Sequence, residues 1–416
     1  MPVSPMRVAM LSAHSCPVGK LGTKDTGGMS VYIRELAREL ADRGHIVDVY
    51  TRVHDPEDRE IYELARNARL IHLKAGEDEE MQKLDVYSHL PDFACNLERY
   101  RRQSDLRYDL IFSHYWLSGL AGAYLQQRWH VSHMIMFHTL GAVKNRIKEE
   151  ARLANGGDEP ELRIETERRL VGSCHRIIAS TPREQEDLIR YYGASLDKIN
   201  VVPCGVNLGQ FKVIDRTLAR QHLGFGEERI ILYVGRLDPL KGIDKLIEAL
   251  PLLSHIPGVR LVVIGGGEDS QHEVEQLRGL ARGLGVQDAV SFVGLVKHEQ
   301  LPYFYSAADV CVVPSHYESF GLVVLESLAC GTPVVATDVG NHRDVIRDGE
   351  TGYVVTDNTP GRLAEKIALL LCRTGADKGS ALLCRSSVSR FGWSGVAQSV
   401  VSDCQEVLAH YLVAAS

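Results

Sequence analysis

Three stretches of the chain combine residues able to handle anions and hydroxyls. The first is Gly235-Arg236-Leu237-Asp238-Pro239-Leu240-Lys241-Gly242, directly after the apolar run Ile230–Val234. Arg236 and Lys241 stand between an expected strand and an expected helix, near enough to converge on one anion. A planar guanidinium fork and an ammonium point charge both suit phosphate oxygens, and one such charge-assisted contact contributes about 1.5–3 kcal/mol. Alone, the pair would read as solvated loop charge. The second stretch changes that weighting: Pro314-Ser315-His316-Tyr317-Glu318-Ser319-Phe320-Gly321-Leu322-Val323-Val324-Leu325-Glu326. Glu318 falls in the loop before a helix and Glu326 falls inside that helix. A carboxylate accepts paired hydrogen bonds from a sugar or ribose diol. Gly321 lets a ligand approach the backbone, and the free N–H groups of a helix start can cradle a diphosphate. A glutamate in an otherwise apolar helix needs a partner, so Glu326 is hard to explain as surface charge. The third stretch, Gly265-Gly266-Gly267-Glu268, is weak by itself. The order of all three after successive apolar runs is far more specific than any one.

The first half carries its own set. Asp25-Thr26-Gly27-Gly28-Met29-Ser30-Val31-Tyr32 opens a helix after the first apolar run, and its paired glycines permit close backbone approach. His138-Thr139-Leu140-Gly141-Ala142-Val143-Lys144-Asn145 ends another run, with His138 placed to donate a hydrogen bond from a strand terminus. Ser113-His114-Tyr115-Trp116 ends a third, where Trp116 reads as packing.

Apolar runs rich in Val and Ile must position these residues. They lie at Val8–Ser12, His45–Tyr50, Asp109–Ser113, Met134–His138, Arg176–Ser180 and Asn200–Pro203, and again at Ile230–Val234, Arg260–Ile264, Val290–Val293, Val310–Pro314 and Val334–Thr337. Continuous apolar character predicts parallel strands covered on both faces. Between them lie amphipathic stretches such as Val31–Arg43, in which Tyr32, Leu36 and Leu40 share a face and Gly44 is a stop. The charged stretch Lys144–Arg169 predicts helix with a connection around Gly156-Gly157. Strand and helix alternating in two sets predicts an α/β protein of two doubly wound, Rossmann-like domains facing across a cleft. The expected boundaries are 1–207, 208–393 and a C-terminal helix over 394–416 returning to the first domain.

With 416 residues, two domains are the default. A net charge of -7 argues against a nucleic-acid binder, while leaving room for a local basic pocket. Nine cysteines without CxxC pairs, several in apolar runs, predict reduced buried thiols rather than disulfides or zinc. The N-terminus carries a single Arg before a short apolar stretch, which suits neither a signal peptide nor a membrane span, so the expected location is the cytoplasm.

The Glu318-to-Glu326 spacing, with Gly235-Arg236 and Lys241-Gly242 upstream, resembles glycosyltransferase family 4, retaining enzymes of the glycosyltransferase B fold. The similarity runs from Met6 to about Trp393. It implies that Arg236 and Lys241 hold a nucleotide diphosphate and support its departure, that Glu318 contacts the donor sugar, and that Glu326 binds the ribose hydroxyls. Backbone near Val296-Lys297 would frame the base, with Gly28, Ser319, Phe320, Gly321 and Leu322 completing the donor contacts. His138 would orient the donor sugar or share charge, making a catalytic set of His138, Arg236, Lys241 and Glu318. Within the family the chain most resembles members acting on inositol phosphate, and less closely those making sucrose phosphate. That implies an acceptor phosphate held by Lys83, Tyr115, Thr139 and Arg163, with Gly28, Ser30 and Lys144 alongside. Ser30 departs from the inositol-phosphate pattern, which has Asn there, so another phosphorylated sugar or polyol also fits.

The implied reaction is retaining transfer of a hexose-type sugar from a nucleotide sugar, with uridine as the suggested base. The protein cations do the neutralising, so no cofactor and no metal are expected beyond the donor co-substrate. Partners are the nucleotide sugar and a small phosphorylated acceptor, with a homodimer allowed and no membrane span or nucleic acid. Competing readings are transfer to fructose 6-phosphate, a sugar-nucleotide epimerase or hydrolase, a non-catalytic sugar-nucleotide sensor, and a lipid or polysaccharide glycosyltransferase. The lipid reading wants a basic amphipathic patch, for which Arg99-Tyr100-Arg101-Arg102 is the nearest candidate.

Overall fold

The computed structural model describes residues 5–19, 26–79, 81–153, 157–267, 270–372 and 378–415. The first sheet contains β1 (Arg7–Ser12), β2 (Ile46–Arg52), β3 (Ile61–Ala65), β4 (Ala68–Leu73), β5 (Leu110–His114), β6 (Ser132–Met136), β7 (Arg176–Ala179) and β8 (Ile199–Val201). Its order is β3-β4-β2-β1-β5-β6-β7-β8, and only the β3–β4 pair is antiparallel. The second sheet contains β9 (Arg229–Val234), β10 (Val259–Ile264), β11 (Val290–Gly294), β12 (Val310–Val313), β13 (Val334–Thr337) and β14 (Gly352–Val355), ordered β11-β10-β9-β12-β13-β14 and wholly parallel. All the expected apolar runs are strands. The β3–β4 hairpin and β14 are additions the sequence pattern did not supply.

The central strands are buried on both faces; β5, β6, β12 and β13 have no solvent-facing side. Each fully buried Val, Leu or Ile there contributes about 1.5–3 kcal/mol, which fixes the strands and therefore their C-terminal ends. In each sheet one strand is the point where the winding direction reverses, β1 between β2 and β5 and β9 between β10 and β12. A crevice opens at the C-terminal ends of such neighbouring strands.

Lys144–Arg169 is two helices, Gly141–Glu150 and Glu161–Ser173, separated by a connection that includes Gly157; Gly156 lies outside the described residues. The long helix Trp393–Ala415 packs on the helix Gly28–Asp42 of the first half. Arg43 NH2 donates to Ser394 O at 2.6 Å, Arg176 pairs with Glu406 at 3.2 Å, and Asn200 donates to Asp403. The chain passes between the two halves twice, and the crossings touch as a parallel bridge between Val206 and Gly392.

Candidate active-site cleft

The C-terminal edges of both sheets face one cleft of about 350 Å³. Its walls carry Gly28, Lys83, Tyr115, His138, Thr139 and Lys144 from the first half, and Arg236, Lys241, Val296, Glu318, Ser319, Phe320, Gly321, Leu322 and Glu326 from the second. Asp25 and Glu268 lie outside the described residues.

On the second wall, Arg236 and Lys241 follow β9. The loop is shaped locally: Asp238 accepts from Leu240 N at 2.9 Å, and Tyr233 OH donates to Arg236 O at 2.8 Å. Gly242 closes the turn at φ +64, where a Cβ would fall 2.2 Å from Pro314 O, so the turn can rest directly on the loop after β12. Lys241 Nζ donates to Glu318 Oε1 at 2.7 Å, and Ser315 Oγ donates to the same oxygen at 2.9 Å. Burial works to raise the Glu318 carboxyl, but Lys241 and its other partners override it and hold it below the ordinary range. Gly321, at φ +104, starts the helix Leu322–Ala329, and a Cβ there would meet His342 Nε2 at 2.3 Å. Glycine is therefore required at the point where a diphosphate would meet the helix start.

Glu326 does find the partners its burial demands. His298 Nε2 lies 3.1 Å from one carboxylate oxygen, and Tyr305 OH donates to the other at 2.8 Å. Gln210 Nε2 lies 3.1 Å from His298 Nδ1, which assigns Nδ1 as acceptor and Nε2–H as the donor to Glu326. A carboxylate fixed at this depth has lone pairs left with which it could accept from a ligand hydroxyl.

On the first wall, His138 sits two residues beyond β6 at φ +61, rather than at the strand's last position. Tyr115 follows β5 at φ +75. Non-glycine residues in this region are strained, and both lie on the cleft. His138 Nε2 and His114 Nδ1 are 3.0 Å apart, while buried His114 Nε2 has no partner. An orphaned N–H costs more than an orphaned lone pair, so His114 is best assigned as carrying its proton on Nδ1. His138 then accepts at Nε2 and carries its own N–H on Nδ1. Burial lowers His138 to about 3, so it acts as a neutral donor.

Lys83 begins the helix Lys83–Ser88, and Lys83, Thr139 and Tyr115 all reach the cleft. Two expected acceptor contacts are placed differently. Ser30 is fully buried and bonds Ser15 Oγ at 2.7 Å, because it lies on the inward face of its helix with Ile33 and Ala37; it is not a wall residue. Arg163 is also buried behind the wall. Its Nε donates to Glu167 at 2.7 Å, NH1 to Glu159 at 2.7 Å and NH2 to Thr139 O at 2.7 Å, with its guanidinium 4.8 Å from the Tyr115 ring centre. Lys144 pairs with the same Glu159. Arg163 thus holds Thr139 and Tyr115 in place from beneath.

The wall also includes His14, which the sequence reading passed over. It follows β1, packs 4.3 Å from the Tyr115 ring, and leaves Nδ1 buried without a partner. Burial, then Lys83 and other cations, lower its pKa well below the usual histidine value. Only its place at the end of the switch-point strand could have singled it out. His298 was missed as well, since its link to Glu326 spans separate elements.

Among the described residues no helix is long and apolar enough to cross a membrane. Residues 26–210 match the model for Glycosyltransferase Family 4, and residues 215–376 match that for Glycosyl transferases group 1. The chain is 40% identical to the D-inositol 3-phosphate glycosyltransferase of Xylanimonas cellulosilytica, over 95% of each chain. It is also 40% identical to that of Acidothermus cellulolyticus, over 100% of this chain and 93% of the relative. Among solved structures, sucrose-phosphate synthase from Thermosynechococcus elongatus superposes with a TM-score of 0.87 at 33% identity, covering 99% of this chain and 100% of that one. HepE of Anabaena, in complex with UDP and glucose, superposes at 0.75 and 19% identity over 96% of this chain and 100% of that one, a likeness of fold alone. With its motifs, its two facing sheets and these relatives in agreement, the chain belongs to glycosyltransferase family 4 and is a glycosyltransferase of the glycosyltransferase B fold.

Proposed function

We propose that the chain moves a hexose-type sugar from a UDP-linked donor to a hydroxyl of a phosphorylated polyol, with inositol phosphate the first candidate, and with retention of configuration. The observation that carries this reading is one cleft with cations on both walls, Arg236 and Lys241 opposite Lys83 and Lys144. The relatives named for inositol phosphate support the acceptor. In this reading Arg236, Lys241 and the helix start at Gly321 stabilise the departing diphosphate, and Glu326 receives the ribose diol. The bond from the anomeric carbon to the diphosphate breaks, and the acceptor oxygen bonds to that carbon on the same face. The acceptor proton passes to a diphosphate oxygen, so no separate base is needed. His138 donates to the donor sugar, and the protein cations make a divalent ion unnecessary, so EDTA leaves turnover unchanged.

The test is turnover over a panel of nucleotide sugars against inositol phosphate, fructose 6-phosphate and their unphosphorylated forms, with the anomeric configuration of the product read by NMR. Better turnover of unphosphorylated acceptors would overturn the acceptor assignment, and an inverted product the retaining one. Transfer to fructose 6-phosphate is a second reading, favoured by the likeness to sucrose-phosphate synthase over the whole chain.

A further inference from the structure

We infer that Glu159 is a built-in anion of the acceptor site, a specificity-determining residue that a phosphorylated acceptor must displace from Lys144 and Arg163. The inference rests on the phosphorylated-acceptor reading above. The Glu159 carboxylate spans two cations as a phosphate would: one oxygen takes Lys144 Nζ and the other takes Arg163 NH1 at 2.7 Å. Its backbone is clamped on both sides by Asn145, whose Oδ1 accepts from Glu159 N at 2.7 Å and whose Nδ2 donates to Glu159 O at 3.0 Å. The carboxylate is therefore presented at this spot by design of the loop.

Glu159 is not needed to neutralise Arg163. Glu167 already accepts from Arg163 Nε at 2.7 Å, is itself 0% exposed, and is tied to Gly141 N at 3.0 Å and Tyr192 OH at 2.5 Å. The Glu159 side chain keeps 15% of its surface and can leave, whereas Glu167 cannot. Lys144, the other partner, is on the cleft wall. Burial opposes ionisation of Glu159, but Arg163 and Lys144 outweigh it and hold the carboxyl down at about 2, so the internal anion is permanent at any working pH. A small free anion must compete with it unaided. A phosphorylated acceptor competes with the added binding of its ring.

The experiment compares full-length wild type with Glu159→Gln, measuring KM and kcat for inositol phosphate and fructose 6-phosphate and the inhibition constant of inorganic phosphate. Glu159→Gln should lower both KM and the phosphate inhibition constant by roughly tenfold, the scale of removing one like charge at close range near a surface, with kcat changed less than about twofold. An unchanged or raised KM, in a wild type that prefers phosphorylated acceptors, would show that Glu159 only organises its neighbours and would overturn the inference. A wild type indifferent to the acceptor phosphate would instead sink the reading beneath it. Should Glu159→Gln fail to fold, Asn145→Ala keeps the charge and loosens its clamp. It should shift the phosphate inhibition constant the same way by a smaller factor, and no shift would count against the proposal.

Discussion

The two walls of the cleft are both cationic, yet they are built in opposite ways. On the wall of the second sheet, Arg236 and Lys241 stand in a loop at the cleft surface, where Lys241 meets the Glu318 carboxylate at 2.7 Å. On the wall of the first sheet, Arg163 is 1% exposed and locked between Glu159 and Glu167. The same residue type therefore does different work in the two places. A cation at the surface of a cleft can be reached by a ligand without unpacking the wall. A cation saturated by carboxylates beneath a wall supports the residues that reach the ligand, and itself meets a ligand only where one of those carboxylates is displaced.

This contrast is broken most severely by removing the buried cation. Arg163→Ala takes from Glu159 and Glu167 the guanidinium they share and leaves a buried carboxylate uncompensated, and stability should fall by about 3–5 kcal/mol. Thermal unfolding checks it, and a fall below about 1 kcal/mol, the scale of an exposed pair, would mean that Arg163 is a surface residue in function. Arg236→Ala should do the reverse. Transferase kcat should drop on the order of 10²–10³, as when one preorganised donor to a leaving group is lost, while the melting temperature stays near the wild-type value. Undiminished turnover would remove Arg236 from the donor site. Ser30→Asn, which restores the residue of the inositol-phosphate pattern, overpacks a fully buried position. It should cost about 1–3 kcal/mol in a denaturant titration without improving acceptor affinity.

The smallest effect comes from pH. His138 and His133 are each held down to about 3 by burial. A group whose pKa is lowered by folding adds stability that is fully present above its unfolded value, near 6.5, and is lost as pH falls toward its folded value. Stability should therefore decline from about pH 6.5 downward, by at most about 1.4 kcal/mol per pH unit for each imidazole. His138→Phe should flatten part of that slope. A curve flat from pH 7 to pH 4 would show that these rings are solvated.

Much of the architecture was legible because it rests on a strong local signal. Runs such as Val310–Val313 and Val334–Thr337 are apolar throughout, and each proved to be a strand buried on both faces. The β3–β4 hairpin escaped because Ile61–Ala65 is short, is interrupted by Glu63 and buries only Leu64 fully, so it lacks the continuous apolar run that marks the other strands. β14 begins with Gly352, a residue that weakens a strand signal. In the cleft, the placements of Arg236, Lys241 and Glu318 followed from strand ends. The pairing of Arg163 with Glu167 was legible in their four-residue spacing on one helix, but its burial was not, since Glu159 reaches it from the loop before that helix. Positive φ at Tyr115 and His138 could not be read at all, since tertiary packing imposes it.

The return of the helix Trp393–Ala415 to the first sheet has a consequence for how the protein is made. Arg43, Arg176 and Asn200 each find a partner in Ser394, Glu406 or Asp403, which leave the ribosome long after them. The half synthesised first is therefore the half completed last, while β9 to β14 can assemble from one uninterrupted stretch of chain. Until the helix Trp393–Ala415 arrives, the part of the helix Gly28–Asp42 that it covers, including the edge of Tyr32 that meets the Trp393 ring, lacks its packing partner.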